Sequence, residues 1–489
     1  MTTNVSPSPA QPSVLVTPRA MLTTLAVVLV ADFMDLIDAT MLSIAAPVIS
    51  ADFRSSAAAL QWMIASYTLA LGAMLITGGR IGDLWGRRRV FLLGLLGSTL
   101  ATVGSALAPT MDVLIATRVM QGLATGLMIP QSLAIIRSSF APEARAKAFA
   151  AYGAVLGLAA VAGPLLGGFL AEANLLGLGW RAIFWVNVLI GAVTLLVGFF
   201  GLPESQASNG ARLDIGGAVL AAATSVLLLI PLIQGATWGW PWWCFALFAL
   251  ALLTAALFIV HERRLLTRGG EPILDPALLR VRPFVSGLLI SLVFFGAIGA
   301  FFLLFSLYLQ LGTGRSAFNA GLIILPYAIG SLLTSGVGVQ FATRAGRALL
   351  IAGALTLAAS QALLFFIVQG GDNPSAWLLA LPMFVGGLGI GLAAPVLVNV
   401  VLAGVPARDA GTASGMLTTV SQIGSAAGVA VLGLLFFHAL NVASAGESVL
   451  AAYSTAFVAI LPWQVACYLA AAALMLLLPR HAIADDPQH

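Results

Sequence analysis

Charge is scarce in this chain. Of 489 residues only 8 % are Asp, Glu, Lys or Arg, while 60 % are hydrophobic, and the mean hydropathy is +1.04. A soluble domain carries about 25 % charge, so this composition excludes a soluble fold. Lysine is scarcer still: Lys147 stands alone beside 21 arginines, which, with the abundance of Ala and Gly, points to a GC-rich bacterial genome. The two cysteines, Cys244 and Cys467, both fall in apolar segments. They read as buried hydrophobic side chains and not as a disulfide or metal site. The four histidines, His261, His438, His481 and His489, show no ligand spacing. With no phosphate-binding loop, metal cluster or nucleophile constellation, neither an enzymatic role nor a cofactor is expected. The net charge of +4 is spread over short loops, which is a topology signal and not a nucleic-acid footprint.

What the chain has in abundance is long apolar runs. Fourteen, from 22–48 to 453–479, are long enough to cross roughly 30 Å of hydrocarbon. An even number puts both termini on one side. The tails and the loops on that side hold 18 of the 22 basic residues; Arg54, Arg181 and Arg315 fall on the other side, and Arg118 falls within a span. The asymmetry assigns both tails to the cytoplasm. Residues 1–20 are polar and rich in Pro and Ser, too polar for a cleaved signal segment. The expected division is a cytoplasmic tail over 1–20, a six-helix bundle over 21–202, a linker with two extra spans over 203–283, a second six-helix bundle over 284–480, and a tail over 481–489. Gly86-Arg87 and Gly346-Arg347, 260 residues apart, hint at a duplicated unit with the two extra spans between its copies. Those spans carry no charge between Asp214 and His261 and read as peripheral and lipid-facing. Trp238, Trp240, Trp242 and Trp243 beside them read as an interfacial belt.

Three acids interrupt the first span: Asp32, Asp35 and Asp38. A carboxylate at bilayer depth costs about 3 kcal/mol or more, so such a residue marks a functional site. A spacing of three gives a slanted stripe rising about 4.5 Å per step, which needs a polar cavity to face. Asp38 lies nine residues before the outer end of its span near Pro47, and Arg118 lies six residues after the outer end of the fourth near Asp112. Their depths agree within about one turn. Acid and base can offset each other's burial, either as a proton-loading site or as a static ion pair that fixes packing. Asp35, nearer the midplane where transporter sites lie, is the expected main carboxylate for substrate or proton, with Asp38 and Asp32 secondary. No other embedded acid is expected, so any proton coupling would run through this span.

Several motifs add to this reading. Gly79-Arg80-Ile81-Gly82-Asp83-Leu84-Trp85-Gly86-Arg87-Arg88-Arg89 fills the turn between the second and third spans. It resembles the loop signature of the major facilitator superfamily. Asp38-Ala39-Thr40 with Pro47, Arg118-Val119-Met120-Gln121-Gly122, Gly157 with Gly163-Pro164-Leu165-Leu166-Gly167-Gly168, and Trp180-Arg181-Ala182-Ile183-Phe184 with Asn187 resemble, in order, signatures of the fourteen-helix drug:proton antiporters of that superfamily; Trp62 and Tyr67 resemble its second helix. The matches cover roughly 30–200. Thr343 departs from the pattern, standing where the repeat would have an aspartate.

The resemblance implies an all-α membrane protein with the major facilitator fold, two six-helix bundles plus two inserted helices. It implies proton-coupled efflux of lipophilic, often cationic, drugs or antibiotics by alternating access, powered by the proton gradient, from the inner membrane of a bacterium. It also implies that Arg118 takes part in proton coupling, and that Gly79, Asp83, Gly86, Arg87, Gly163, Pro164, Gly167 and Gly168 serve conformational change; tight packing alone would also explain the glycines. Trp62, Tyr67, Gln131, Asn187, Tyr308, Tyr327, Asn399 and Gln422 are the mixed aromatic and amide residues expected to line a pocket, though each alone could be a packing residue. The expected partners are an amphiphilic small molecule, protons and lipid, with the protein acting as a monomer. Uptake of a small nutrient with protons, or a receptor or scaffold that transports nothing, are the alternatives.

Overall fold

The computed structural model describes residues 18–140, 142–203, 214–235, 238–268, 270, 278–370, 373–402, 410–443 and 448–478; within these, the side chains of Arg80, Asp83, Thr343 and Asn399 are among those outside the described set. The described chain is helical, without a strand. Fourteen helices follow one another: α1 (Pro18–Phe53), α2 (Ala57–Trp85), α3 (Arg87–Ala106), α4 (Met111–Ser139), α5 (Pro142–Glu172), α6 (Arg181–Gly201), α7 (Ile215–Gln234), α8 (Trp242–Thr267) and α9 (Arg282–Leu307). A continuous run Ala317–Gln369 breaks at Ala345 (φ −134°, ψ 22°) into α10 (317–344) and α11 (345–369). The last three are α12 (Ala376–Leu402), α13 (Ala410–Ala443) and α14 (Val449–Met475). Twelve of the described stretches are long and apolar enough to cross a membrane; α1 and α5 are 36 and 31 residues long and pack against each other. Helices satisfy their own backbone polar groups, which lipid cannot. Where they begin, Ser56, Thr110, Asp214, Ser316 and Ser448 cap α2, α4, α7, α10 and α14 with side-chain oxygens, satisfying otherwise orphaned N–H groups.

The two junctions of the expected repeat differ in geometry. Gly86 turns the chain from α2 to α3 at φ 93°, a conformation that favours glycine, and Gly346 follows the break between α10 and α11. One continuous apolar core joins both halves: Ile37–Ile49 of α1, Met63 of α2, Leu114 of α4 and Phe184 of α6 meet Leu309 and Ile323 of the second half toward the end opposite the termini (the far end), and within the second half the same core runs on to Phe284 and Met475 at the tail end. Toward the tail end the first half has a separate core of Val27, Val28, Phe91, Met128 and Ile136. Close approaches reinforce the far-end union. Gln310 donates to the Ile44 carbonyl (2.6 Å), and the Phe318 amide donates to Glu172 (3.2 Å). A Cβ on Gly168 would lie 2.4 Å from the Ala317 carbonyl, and one on Gly321 2.4 Å from that of Pro164.

The extra pair is peripheral, as expected: α7 and α8 are the least buried of the twelve spans. The outer face of α8 is lipid-like, with Leu252 74 % exposed. However, α7 packs against α2 of the first half and α13 of the second, so the hairpin lies across their seam. Its small residues, such as Ala218 and Ala221, allow that approach, which an all-apolar sequence does not announce.

Candidate functional site

The three acids of α1 straddle the boundary between the two cores and have different surroundings. Asp38 is fully enclosed: one carboxylate oxygen accepts from Arg118 of α4 (2.5 Å) and Gln121 (3.1 Å), the other from Asn187 of α6 (2.9 Å). Arg118 also donates to the Gln121 side-chain oxygen (2.7 Å). Asp38 and Arg118 are each 1 % exposed, so the depth match expressed in the sequence becomes a direct ion pair. Breaking such a pair by removing one partner costs about 3–5 kcal/mol, because it strands a buried charge.

Asp35, half a turn or more toward the tails, keeps partial exposure and accepts a short hydrogen bond from the Tyr67 hydroxyl of α2. The same tyrosine ring lies under the Arg118 guanidinium, 4.2 Å from its centroid. Tyr67 thus links the enclosed ion pair to the accessible acid. Asp32 is 4 % exposed. Its Oδ1 accepts from Ser132 of α4 (2.9 Å), its Oδ2 has no hydrogen-bond partner, and Tyr152 of α5 faces it. From Asp38 to Asp32 the stripe passes from full satisfaction, through a partly buried acid with one donor, to one that is half satisfied.

Other expected pocket residues lie elsewhere. Gln131 is 1 % exposed and donates to the Gly78 and Leu127 carbonyls (2.7 and 3.2 Å). It braces α2 against α4, occupying the space a Cβ on Gly82 would need. Asn187 serves Asp38. Tyr308 is fully buried, stacked on Phe457 (5.0 Å, 8°) inside the second half. The structure thus places these three in the interior. Trp62 is partly buried against Leu229, Ile233, Ala426 and Ala430, on the seam beside the hairpin. Tyr327, 8 % exposed, packs edge-on to Phe302 and against Gly386 and Gly387. Gln422 touches Gly72 across the seam. Asn399 and Asp83 fall outside the described side chains.

The glycine motifs sit where helices nearly touch. A Cβ on Gly163 would lie 1.8 Å from the Thr40 hydroxyl, and one on Gly167 2.6 Å from Met41 Cα. Gly79 is less constrained, with Pro130 at 3.7 Å. Arg87 reaches the Ala134 carbonyl at 3.5 Å. The motif around Trp180 and Arg181 grips Asp52, both donating to its Oδ2 (2.9 and 3.2 Å), and so staples α6 to α1.

Sequence reading did not single out Gln121, Ser132 or Tyr152. Gln121 carried a signal, since it lies three residues after Arg118 and shares its helix face. The expectation of no further embedded acid also needs correction. The Asp214 carboxylate accepts from the His261 ring (2.7 Å), and Glu262 is 0 % exposed against Gly217. The apolar run ends at 260, but α8 continues to Thr267, carrying Glu262 against the start of α7. Among the described residues there is no group of His, Cys, Asp and Glu that could hold a metal.

Helical halves joined at one end, with an ionic network buried in the first, define a polytopic membrane transporter. The chain belongs to the Major Facilitator Superfamily, whose family model matches residues 28–214 and again 213–429. It is 39 % identical to the "Probable actinorhodin transporter" of Streptomyces coelicolor (85 % of this chain, 72 % of that protein). It is 32 % identical both to the tetracenomycin C resistance and export protein of Streptomyces glaucescens (84 % and 75 %) and to the multidrug efflux pump LfrA of Mycolicibacterium smegmatis (88 % and 84 %). Among solved structures, an auto-inhibited POT family peptide transporter shares the fold at TM-score 0.70 and 15 % identity (96 % of this chain, 99 % of that one). A D-xylose-proton symporter does so at 0.62 and 16 % (94 % and 97 %).

Proposed function

We propose that this chain is an efflux transporter for lipophilic antibiotic-like or drug-like compounds, exchanging them for protons across a bacterial inner membrane. Relatives named for export, resistance and multidrug efflux support the substrate class. The arginine asymmetry supports cytoplasmic tails, so the fused far end faces outward and the arrangement is closed to the outside. The protein acts as a monomer and draws on the proton gradient without a cofactor.

The observation that carries the coupling proposal is the contrast within α1. Asp38 is saturated by three donors and serves as the fixed pole of the network. Asp35 has one hydroxyl donor and retained access, so it is the carboxylate that exchanges. Proton and lipophilic cation compete for it: protonation from outside releases the substrate, and deprotonation toward the cytoplasm restores the charge that attracts the next. Asp32 sits on the cytoplasmic route with Ser132 and Tyr152 beside it. The bundles rock about this site, with the close-packed glycines of α5 sliding against α1 and α10.

A susceptibility panel in an efflux-deficient host, with dye efflux from loaded cells, tests this. Wild type should raise resistance to lipophilic compounds, and Asp35→Asn should not. Proton-driven dye accumulation would indicate uptake instead, and equal resistance in both strains would remove Asp35 from the mechanism.

A further inference from the structure

We propose that the inserted hairpin completes a binding niche for a hydrocarbon chain on the seam between the two halves. A cavity of about 170 Å³ lies among α2, α7, α8 and α13, walled by Ala73, Ala218, Ala221, Ala255, Met416 and Val420. No charged side chain lines it. Of its hydroxyls, Thr224 donates to Leu220 (2.8 Å), Ser225 to Ala221 (3.1 Å) and Thr419 to Gly72 (3.0 Å), and Thr77 is the fourth in the wall. The exposed lining is almost wholly hydrocarbon and offers water few partners. An apolar cavity of about 150 Å³ stays dry and takes up benzene, and an empty one forfeits the dispersion contacts of its lining. The occupant this chemistry selects is therefore an uncharged hydrocarbon segment, from either a bilayer phospholipid or the alkyl part of an amphiphile.

The position gives the niche a consequence. The Thr419–Gly72 bond in its wall crosses from the second half to the first, and α8 adds Ala255 and Phe258 to the wall while exposing Leu252. An occupant touches both halves and the hairpin together. It is a ligand of the seam, distinct from the α1 acids, and it favours whichever arrangement of the halves keeps this wall intact. The inference does not rest on the direction of transport or on proton coupling.

The test uses the full-length protein in lipid nanodiscs, illuminated in two arms: with a phospholipid carrying a diazirine in mid-acyl chain, and with a diazirine-bearing dodecylamine in unlabelled lipid. Labelled residues are mapped by mass spectrometry. Label is expected on Ala218, Ala221 and Met416, falling about fivefold or more when Ala221→Phe and Ala255→Phe fill the space, while label at Leu252 is unchanged. The milder Ala221→Leu should give an intermediate fall, and Leu252 labelling reports that each variant retains its fold. Labelling in the phospholipid arm assigns the niche to lipid, and labelling in the amine arm alone assigns it to amphiphile tails. Niche labelling in neither arm above that of the filled variant overturns the proposal.

Discussion

The two halves of this transporter share a fold but not a chemistry. The first encloses Asp32, Asp38, Arg118, Gln121 and Asn187, whereas among the described residues the second buries no charged side chain, only Ser291, Ser306, Ser360, Gln361 and Gln464 as polar groups. In place of an ionic network it has an aromatic ladder: Phe301 on Phe305 (5.3 Å), Phe305 against Phe457 (5.4 Å) and Phe457 on Tyr308 (5.0 Å). Charge in a membrane is retained only where it acts, whereas aromatic stacking provides rigidity without desolvating ions. The contrast fits the proposed mechanism as a division of labour, with titrating groups confined to the first half and a stiff, uncharged packing surface in the second.

That contrast can be broken at several points. The largest effect should come from Asp35→Asn, lowering proton-driven dye efflux in proteoliposomes by about tenfold or more, since in the proposed mechanism the intramembrane charge it removes carries the exchange. Arg118→Ala should follow, destabilising the detergent-solubilised protein by about 3–5 kcal/mol in thermal unfolding. Adding Asp38→Asn should restore part of the loss, because the two sites share one network. In the second half, Phe457→Ala should cost about 3 kcal/mol of stability yet leave the pH profile of efflux in place; a shifted profile would assign titrating chemistry to the wrong half. Tyr67→Phe removes one hydroxyl donor from Asp35, worth about 1 kcal/mol, and should slow efflux several-fold with stability little changed. Gln131→Ala, which loses bonds to two carbonyls, should lower the unfolding temperature slightly without narrowing the range of compounds exported.

Sequence reading succeeded where physics has one dimension. Helix count follows from apolar run length. The common depth of Asp38 and Arg118 follows from a fixed rise per residue on two continuous helices; that they face each other comes from the fold. Sequence reading failed where the helix face mattered. Gln131, Asn187 and Tyr308 lie in spans that are apolar nearly all round, so no periodicity told which side they occupy, and each turned inward to a carbonyl, an acid or a ring. Glu262 escaped because helix and apolar run end at different residues. The seam position of α7 escaped because small residues look alike whether they face lipid or another helix. The different degrees of satisfaction of Asp32, Asp35 and Asp38 depend on donors from α2, α4 and α6, which spacing within α1 does not encode.

The central claim is that Asp35, and not its saturated neighbour, exchanges a proton for substrate. It is tested most directly by measuring proton release with an indicator dye when a lipophilic cation binds to the purified, detergent-solubilised protein in weak buffer. Wild type should release protons on binding, and Asp35→Asn should bind weakly or not at all with no release. Undiminished release from Asp35→Asn would contradict the account.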